Sequence, residues 1–294
     1  MIYAVLSLAI LGGLFGLVLG IANKKFAVEV DPRVEAILEV LPGANCGSCG
    51  FPGCSGYAEA VVAGTAPLNA CTPGKDEVRQ TIAKIMGREA GEAKERKVAQ
   101  LLCKGGSDRA ALLYEYEGIR DCHTAATMFQ GPKACSYGCL GLGSCVEACP
   151  FGGIQMGEDQ LPVVNYELCS GCGACVDNCP QHVLKLVEAS QLVHVRCRNK
   201  EKGKEAKKAC TVACIKCKLC ERNCPEGAIS VVADAEGSIA VIDYAKCTNC
   251  GICVEKCPTK VIEKMLPLST LLEQNKDITS GQKPTSCQNC GLCQ

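Results

Sequence analysis

The chain opens on an unbroken apolar run. Residues 1–23, MIYAVLSLAILGGLFGLVLGIAN, carry no charged side chain, and Lys24 and Lys25 follow at once. At about 1.5 Å per residue such a helix is long enough for a bilayer core of about 30 Å. The positive-inside tendency places the two lysines in the cytoplasm, with the short N-terminus outside and the bulk of the chain inside. A cleaved signal peptide is the competing reading, but it lacks a basic leader and its apolar stretch is too long. Gly12, Gly16 and Gly20 share one helix face. They read either as an approach surface for a partner membrane helix or as ordinary glycine content of a membrane span.

The pattern then changes period. Asp31-Pro32 supplies an N-cap and an N1 proline, and Val34, Ile37, Leu38 and Leu41 recur at helical spacing up to Pro42-Gly43. A short helix is expected at 57–62, and another through Val78, Ile82, Ile85 and Met86. The charged segment 88–97, REAGEAKERK, reads as a solvated linker. Beyond it the chain repeats itself. RDCHTAATMFQGPKACSYGCLGLGSCVEACPFGGI (120–154) aligns with VRCRNKEKGKEAKKACTVACIKCKLCERNCPEGAI (195–229), and VVNYELCSGCGACVDNCP (163–180) with VIDYAKCTNCGICVEKCP (241–258). Segments 162–165 and 240–243 read as short strands entering a Cys loop. Segments 153–156, 183–187, 228–232 and 261–265 read as return strands after each Cys-Pro.

Composition changes the picture at one point. Of 294 residues 27 are Cys, whereas Trp is absent and Phe occurs five times. So few large apolar residues argue against one large core and for several small units held by something other than packing. A cytoplasmic setting disfavours structural disulfides and leaves metal. The formal net charge is zero, which gives no overall bias towards nucleic acid.

The Cys spacing names the metal. Cys169, Cys172, Cys175, Cys179-Pro180 and Cys247, Cys250, Cys253, Cys257-Pro258 both follow C-x2-C-x2-C-x3-C-P, the run in which three thiolates hold one cubane and the fourth serves its neighbour. Crossed pairing gives each run a partner. In the first unit Cys135, Cys139, Cys145 and Cys179 are expected to hold one cluster, and Cys149, Cys169, Cys172 and Cys175 the other. In the second, Cys224 joins Cys247, Cys250 and Cys253, while Cys257 joins three of Cys210, Cys214, Cys217 and Cys220. Standard spacing favours Cys214, Cys217 and Cys220 there. The internal repeat would use Cys210 instead, because Leu142 stands where Cys217 does. Cys46, Cys49, Cys54 and Cys71 form a separate, glycine-rich set, complete for one cluster. Zinc is the alternative occupant, although its structural sites usually take separated C-x2-C pairs. The tail run Cys287, Cys290, Cys293 resembles 247–253 and has no fourth Cys after it. It reads either as part of a further cluster or as a loose terminus. Cys122 and Cys197 are equivalent in the repeat and read as structural.

The expected fold class is therefore α+β. It comprises a transmembrane anchor (1–23), a small helical Gly-Cys module (30–88), a linker (89–107), two tandem two-cluster ferredoxin-like units (108–190 and 191–266) and a Cys-containing tail (267–294). At least five 4Fe-4S clusters are expected, six if the tail holds one. No G-x-G-x-x-G opens a helix after a strand and no P-loop occurs, so neither an NAD nor a flavin site is expected. His123, His182 and His194 form no ligand or triad pattern, so the chain is expected to carry electrons and to perform no acid–base or nucleophilic chemistry of its own.

An N-terminal anchor, then NCGSCGFPGCSGYAEAVVAG, then paired Cys-Pro runs, resembles the B subunit of the Rnf ion-translocating electron-transport complex over essentially the whole chain. The Gly-Cys module alone is also similar to one in a corrinoid iron–sulfur subunit. The resemblance implies a single-pass protein of the inner membrane, facing the cytoplasm. It also implies soluble ferredoxin as electron donor, and partner subunits that bear flavin and NAD sites and translocate Na+ or H+. The chain departs from the short form of that family by its second ferredoxin unit and its Cys tail. Segment 198–208, RNKEKGKEAKK, has six basic and two acidic residues and reads as a docking face for an acidic ferredoxin or as a solvated loop. A membrane-tethered polyferredoxin that reduces a redox-sensing regulator would use the same residues.

Overall fold

The computed structural model describes residues 2–25, 31–91 and 95–265. The tail cysteines Cys287, Cys290 and Cys293 lie outside the described residues.

Helix α1, Ile2–Lys25, has Lys24 and Lys25 in its last turn. It is long and apolar enough to cross a membrane by length and composition. Leu14, Phe15 and Leu17 are exposed, an arrangement that suits lipid better than water. A Cβ at Gly12, Gly16 or Gly20 would meet nothing within 4 Å, so that face is open.

Three helices form the next body: α2 (Pro32–Val40), α3 (Gly53–Val62) and α4 (Lys75–Met86). Asp31 caps α2 by accepting from Arg33 N at 2.9 Å, and Pro32 occupies the first turn, where its missing N–H costs nothing. The apolar faces of all three close on Ile37, Tyr57, Val61 and Ile82. Tyr57 keeps its hydroxyl satisfied by donating to the Pro67 carbonyl at 2.9 Å.

The repeat folds twice into one plan. In the first copy β1 (Lys97–Leu101) is followed by α5 (Cys122–Thr127) and α6 (Ser144–Glu147), then by a hairpin of β2 (Ile154–Met156) and β3 (Pro162–Val164). Helix α7 (Ala174–Asp177) and β4 (Leu184–Glu188) complete it, β4 pairing antiparallel with β1. The second copy runs β5 (Val193–Val195), α8 (Gly203–Ala209), α9 (Leu219–Arg222), hairpin β6 (Ile229–Asp234) and β7 (Gly237–Ile242), α10 (Ile252–Glu255) and β8 (Ile262–Lys264). There β8 pairs with β5. Every sheet among the described residues has two strands, a size that is marginal on its own.

Strand β1 corrects the expected linker at 89–107. The charges of 88–97 obscured VAQLL behind them. Val98, Ala99, Gln100 and Leu101 are all buried, so the strand shows no alternation of the usual half-buried kind. Its partner lies far downstream, with Lys97 opposite Glu188 and Leu101 opposite Leu184. Buried Gln100 is satisfied by Tyr166 Oη, which donates at 2.8 Å. The chain leading into β1 grips the Cys loop at 169–172: Arg96 Nη2 donates to the Cys169 and Glu167 carbonyls at 2.9 and 3.1 Å.

The two copies meet through ion pairs. Glu263 of β8 accepts Arg196 Nη1 at 2.7 Å and also pairs with Lys104 of the first copy. Arg196 Nη2 donates to the Cys103 carbonyl at 3.1 Å, and Lys104 Nζ to the Lys260 carbonyl at 3.0 Å.

Gly171 measures how tightly β1 sits on the Cys loop. Its φ is +68°, and an added Cβ would collide with the Lys97 carbonyl. Gly152 has φ +60° but open space around it. Gly152→Ala should therefore cost only the left-handed penalty, about 1–2 kcal/mol, and Gly171→Ala distinctly more, with loss of bound iron. Anaerobic thermal denaturation of the two variants compares them; equal losses would show that β1 is not held against the loop.

Candidate iron–sulfur sites

Five cavities of similar size are each ringed by four cysteines. The first lies in the helical module. Cys46, Cys49, Cys54 and Cys71 line about 320 Å³ of space together with Tyr57 and Leu41. Asn45 Oδ1 accepts from Cys54 N at 2.8 Å and fixes the turn into α3. Gly53, at φ +85°, leaves room for that amide, since a Cβ there would stand 2.9 Å from Asn45 Oδ1. Burial, with the three neighbouring thiols, pushes the Cys71 thiol up to about 11.

In the repeat the last cysteine of a run stands with the neighbouring run, in three cases around a cavity. Cys257 joins Cys214, Cys217 and Cys220 around about 360 Å³. Cys224 joins Cys247, Cys250 and Cys253 around about 350 Å³. Cys179 joins Cys139 and Cys145 around about 370 Å³. A further group is Cys149 with Cys169, Cys172 and Cys175. Burial pushes Cys175 up to about 12, helped by Cys169, Cys172, Cys145 and Cys149 close by. The short helices α6, α7 and α10 each start at a left-handed glycine, Gly143, Gly173 or Gly251, which turns the Cys loop into its helix. Backbone amides point at the sulfurs. Gly153 N donates to Cys149 Sγ and Ala228 N to Cys224 Sγ, both at 3.3 Å, and Ala99 N donates to Cys169 Sγ at 3.4 Å.

Two placements differ from the expectation. Cys135 does not join Cys139, Cys145 and Cys179; Cys122, at the start of α5, completes that ring. Cys135 instead lines the fifth cavity with Cys103, Cys197 and Cys210. In the second copy the ring is the one that standard spacing favours: Cys217, not Cys210, stands with Cys214, Cys220 and Cys257. The physical reason is one substitution between the copies. Leu142 occupies the repeat position of Cys217, so the first copy has a ring short of one thiol, and Cys122 supplies it from outside the run. The signal in the sequence was Leu142 at the repeat position of Cys217, together with a spare Cys122. Asp121 caps α5 by accepting from Thr124 N at 2.7 Å and also accepts from Ser144 Oγ at 2.9 Å, which ties Cys122 to the start of α6.

The chemistry of these rings suits a cluster and not a lone ion. Among the described residues no three His, Cys, Asp or Glu side chains converge closely enough to hold one metal ion. Tetrahedral zinc needs every sulfur about 2.3 Å from a single point. A ring of four thiols spread around an open space instead fits a cubane, whose irons each take one thiolate. The histidines stand apart: His194 is buried and bonded to Tyr244 Oη at 2.8 Å, and His123 Nε2 lies 3.0 Å from the Asn178 carbonyl oxygen. Burial lowers His194 to about 4, so it is neutral at ordinary pH.

Comparisons with known proteins agree with this chemistry. A family model for an Fe-S cluster matches residues 41–73, and models for 4Fe-4S dicluster domains match 134–184, 168–228 and 213–261. The chain is 46% identical to the B subunit of the ion-translocating oxidoreductase complex of Methanosarcina acetivorans, over 87% of this chain and 97% of that protein. It is 44% identical to the B subunit of the proton-translocating ferredoxin:NAD(+) oxidoreductase complex of Clostridium ljungdahlii, over 92% and 94%. With the B subunit of the Na(+)-translocating ferredoxin:NAD(+) oxidoreductase complex of Acetobacterium woodii the identity is 43%, over 87% and 75%.

The exchange of Cys122 for Cys217 between the copies is directly testable. Cys122→Ala and Cys217→Ala are each expected to lose about four irons, one cubane, by iron and acid-labile sulfide assay of anaerobically prepared protein. Adding Leu142→Cys to Cys122→Ala should restore them, because it gives the first copy the thiol of the second. Full iron content in Cys122→Ala would place the fourth ligand elsewhere.

Proposed function

The chain belongs to the family of B subunits of ion-translocating oxidoreductase complexes, and from that premise we propose that it is the membrane-anchored component that takes electrons from reduced ferredoxin. It passes them through 4Fe-4S clusters to partner subunits that couple the transfer to ion movement. The observation that carries this reading is the adjacency of the thiol rings. Cys46 of the helical module lies near enough to Cys172 to raise its pKa, after burial and Cys172's own hydrogen bonds. Cys145 in turn raises that of Cys175. A set of isolated structural metals would have no need to stand in such a series.

Each cluster, when bound, accepts and releases one electron at a potential set by its surroundings. What the chain itself does is hold, screen and tune. We assign Cys46, Cys49, Cys54 and Cys71 to one cluster, and Cys149, Cys169, Cys172 and Cys175 to a second. Cys122, Cys139, Cys145 and Cys179 hold a third, Cys214, Cys217, Cys220 and Cys257 a fourth, and Cys224, Cys247, Cys250 and Cys253 a fifth. The repeat thus makes two tandem two-cluster units, the first beginning at β1. Amides aimed at Cys149, Cys169 and Cys224 stabilise negative charge on sulfur and favour the reduced state. Burial pushes Cys139 and Cys175 up to about 12. In the metal-free chain these thiols keep their protons, and ligation releases them.

Helix α1 anchors the chain, and Lys24 and Lys25 favour a cytoplasmic position for the clusters, where ferredoxin is found. The basic segment suits a docking face. Ala206 and Ala209 of α8 point inward, whereas Lys202, Lys204, Lys207 and Lys208 are exposed. Lys208 pairs with Glu205 and Lys200 with Asp234 and Glu236. The chemistry of NAD, flavin and ion movement belongs to partners.

Purification from membranes in mild detergent tests the assignment: a multi-subunit, flavin-containing complex should accompany the chain. Isolation with only a regulatory protein would overturn it. Replacing Lys202, Lys204, Lys207 and Lys208 by Gln is expected to slow oxidation of reduced ferredoxin by roughly tenfold at low salt and to flatten its salt dependence. Unchanged stopped-flow rates at all ionic strengths would remove the docking face from this segment.

A further inference from the structure

Among the described residues four cysteines remain outside the five rings assigned above, and they stand together. Cys103 follows β1, Cys135 precedes α6, Cys197 follows β5 and Cys210 ends α8, so two come from each copy of the repeat. They line about 380 Å³ of space where the copies meet. A Cβ on Gly105 would lie 3.2 Å from Cys210 Sγ and 3.8 Å from Cys103 Sγ, so these two sulfurs converge on one point of the chain. Ala110 and Cys210 form an antiparallel bridge that joins the copies beside the cavity.

The lining is unlike that of a core. It includes Lys104, Lys133, Arg196 and Arg198 and no carboxylate. Lys104 and Arg196 share Glu263. Lys133 is only 3% exposed, and its ammonium donates to the Gly105 carbonyl at 2.9 Å. Among the described residues it forms no ion pair. A buried cation without a carboxylate is costly unless an anion lies close by. Four neutral thiols would not supply one. Four thiolates on a cubane core of charge 2+ would, because the whole carries a net negative charge.

We propose that Cys103, Cys135, Cys197 and Cys210 hold a further 4Fe-4S cluster that joins the two ferredoxin units, with Lys133 as its buried counter-ion. The proposal rests on the iron–sulfur assignment of the other rings but not on the chain's place in a complex. Its position gives it a role. The Cys139 amide donates to Cys103 Sγ, and the Cys214 amide to Cys197 Sγ, each at 3.4 Å. One ligand of the nearest ring in each unit therefore hydrogen-bonds a sulfur of this tetrad. Asn199, 2% exposed, adds a third donor, with Nδ2 3.5 Å from Cys135 Sγ. The tetrad therefore stands between a ring of the first unit and a ring of the second, where a cluster would link them.

The full chain, prepared anaerobically, provides the test. The double variant Cys103→Ala/Cys210→Ala is expected to lose about four irons and four sulfides and one reducible centre by quantified electron paramagnetic resonance, while the other clusters persist. Unchanged iron and sulfide, or one zinc per chain released from the wild type and absent from the variant, would overturn the proposal. A second measurement covers a variant that fails to fold. Asn199→Leu should keep every iron yet shift one midpoint potential downwards, because a hydrogen bond to a ligand sulfur is removed. If all potentials stay in place, Cys135 is not a ligand and the proposal falls.

Discussion

Four sulfurs drawn from distant parts of the chain around one small space are the unit on which this fold depends. Each sheet among the described residues has only two strands, and the helices α6, α7, α9 and α10 are a single turn long. Such pieces do not hold together by backbone pairing or by the modest apolar clusters around Val183 and Val261. Ligation supplies what packing does not. Each cluster closes loops that would otherwise cost chain entropy, in the way a disulfide does but with four attachment points. In the ligand sets proposed above, the crossed use of the last cysteine in each run makes the paired sites of a unit interdependent.

The repeat shows how such a fold can vary without losing its function. The two copies share strand order, hairpin and Cys-Pro turns, yet they differ at the thiol that Cys217 provides and Leu142 does not. The first copy has a longer connection between its opening strand and its Cys run, and that connection carries α5 with Cys122 at its start. The extra length delivers the missing thiol. At the junction the copies match: Cys103 follows β1 as Cys197 follows β5, and Cys135 and Cys210 are repeat mates.

Much of this was legible in the sequence, and the limits have physical causes. The long apolar helix at the N-terminus, the capped helix at Asp31-Pro32, the strands around each Cys-Pro turn and the regular Cys runs carry local signals, since their spacing is set by neighbours within a few residues. Strand β1 was hidden because both its faces are covered, which erases alternation, and because its partner lies in β4. The ring containing Cys122 and the tetrad at the junction were hidden for another reason. Their members are brought together by tertiary contacts between elements, and spacing along the chain does not fix which sulfurs meet. A fixed offset between the copies paired Cys122 with Cys197 and suggested a shared role, whereas the structure places them at different cavities. The unequal connections had shifted the true mate, Cys103, out of that register.

The ion pairs of Glu263 with Lys104 and Arg196 are partly shielded from solvent, with side-chain exposures of 27%, 19% and 19%. Salt therefore weakens them less than it would surface pairs. Electron tunnelling falls off exponentially with distance, so the separation between centres on either side of a junction matters more than the strength of any one contact. Those three side chains work as a mechanical tolerance. On the proposed path through the junction they hold two halves of a conductor at a fixed gap, and a substitution among them would behave as a resistance inserted in series, without removing any ligand sulfur.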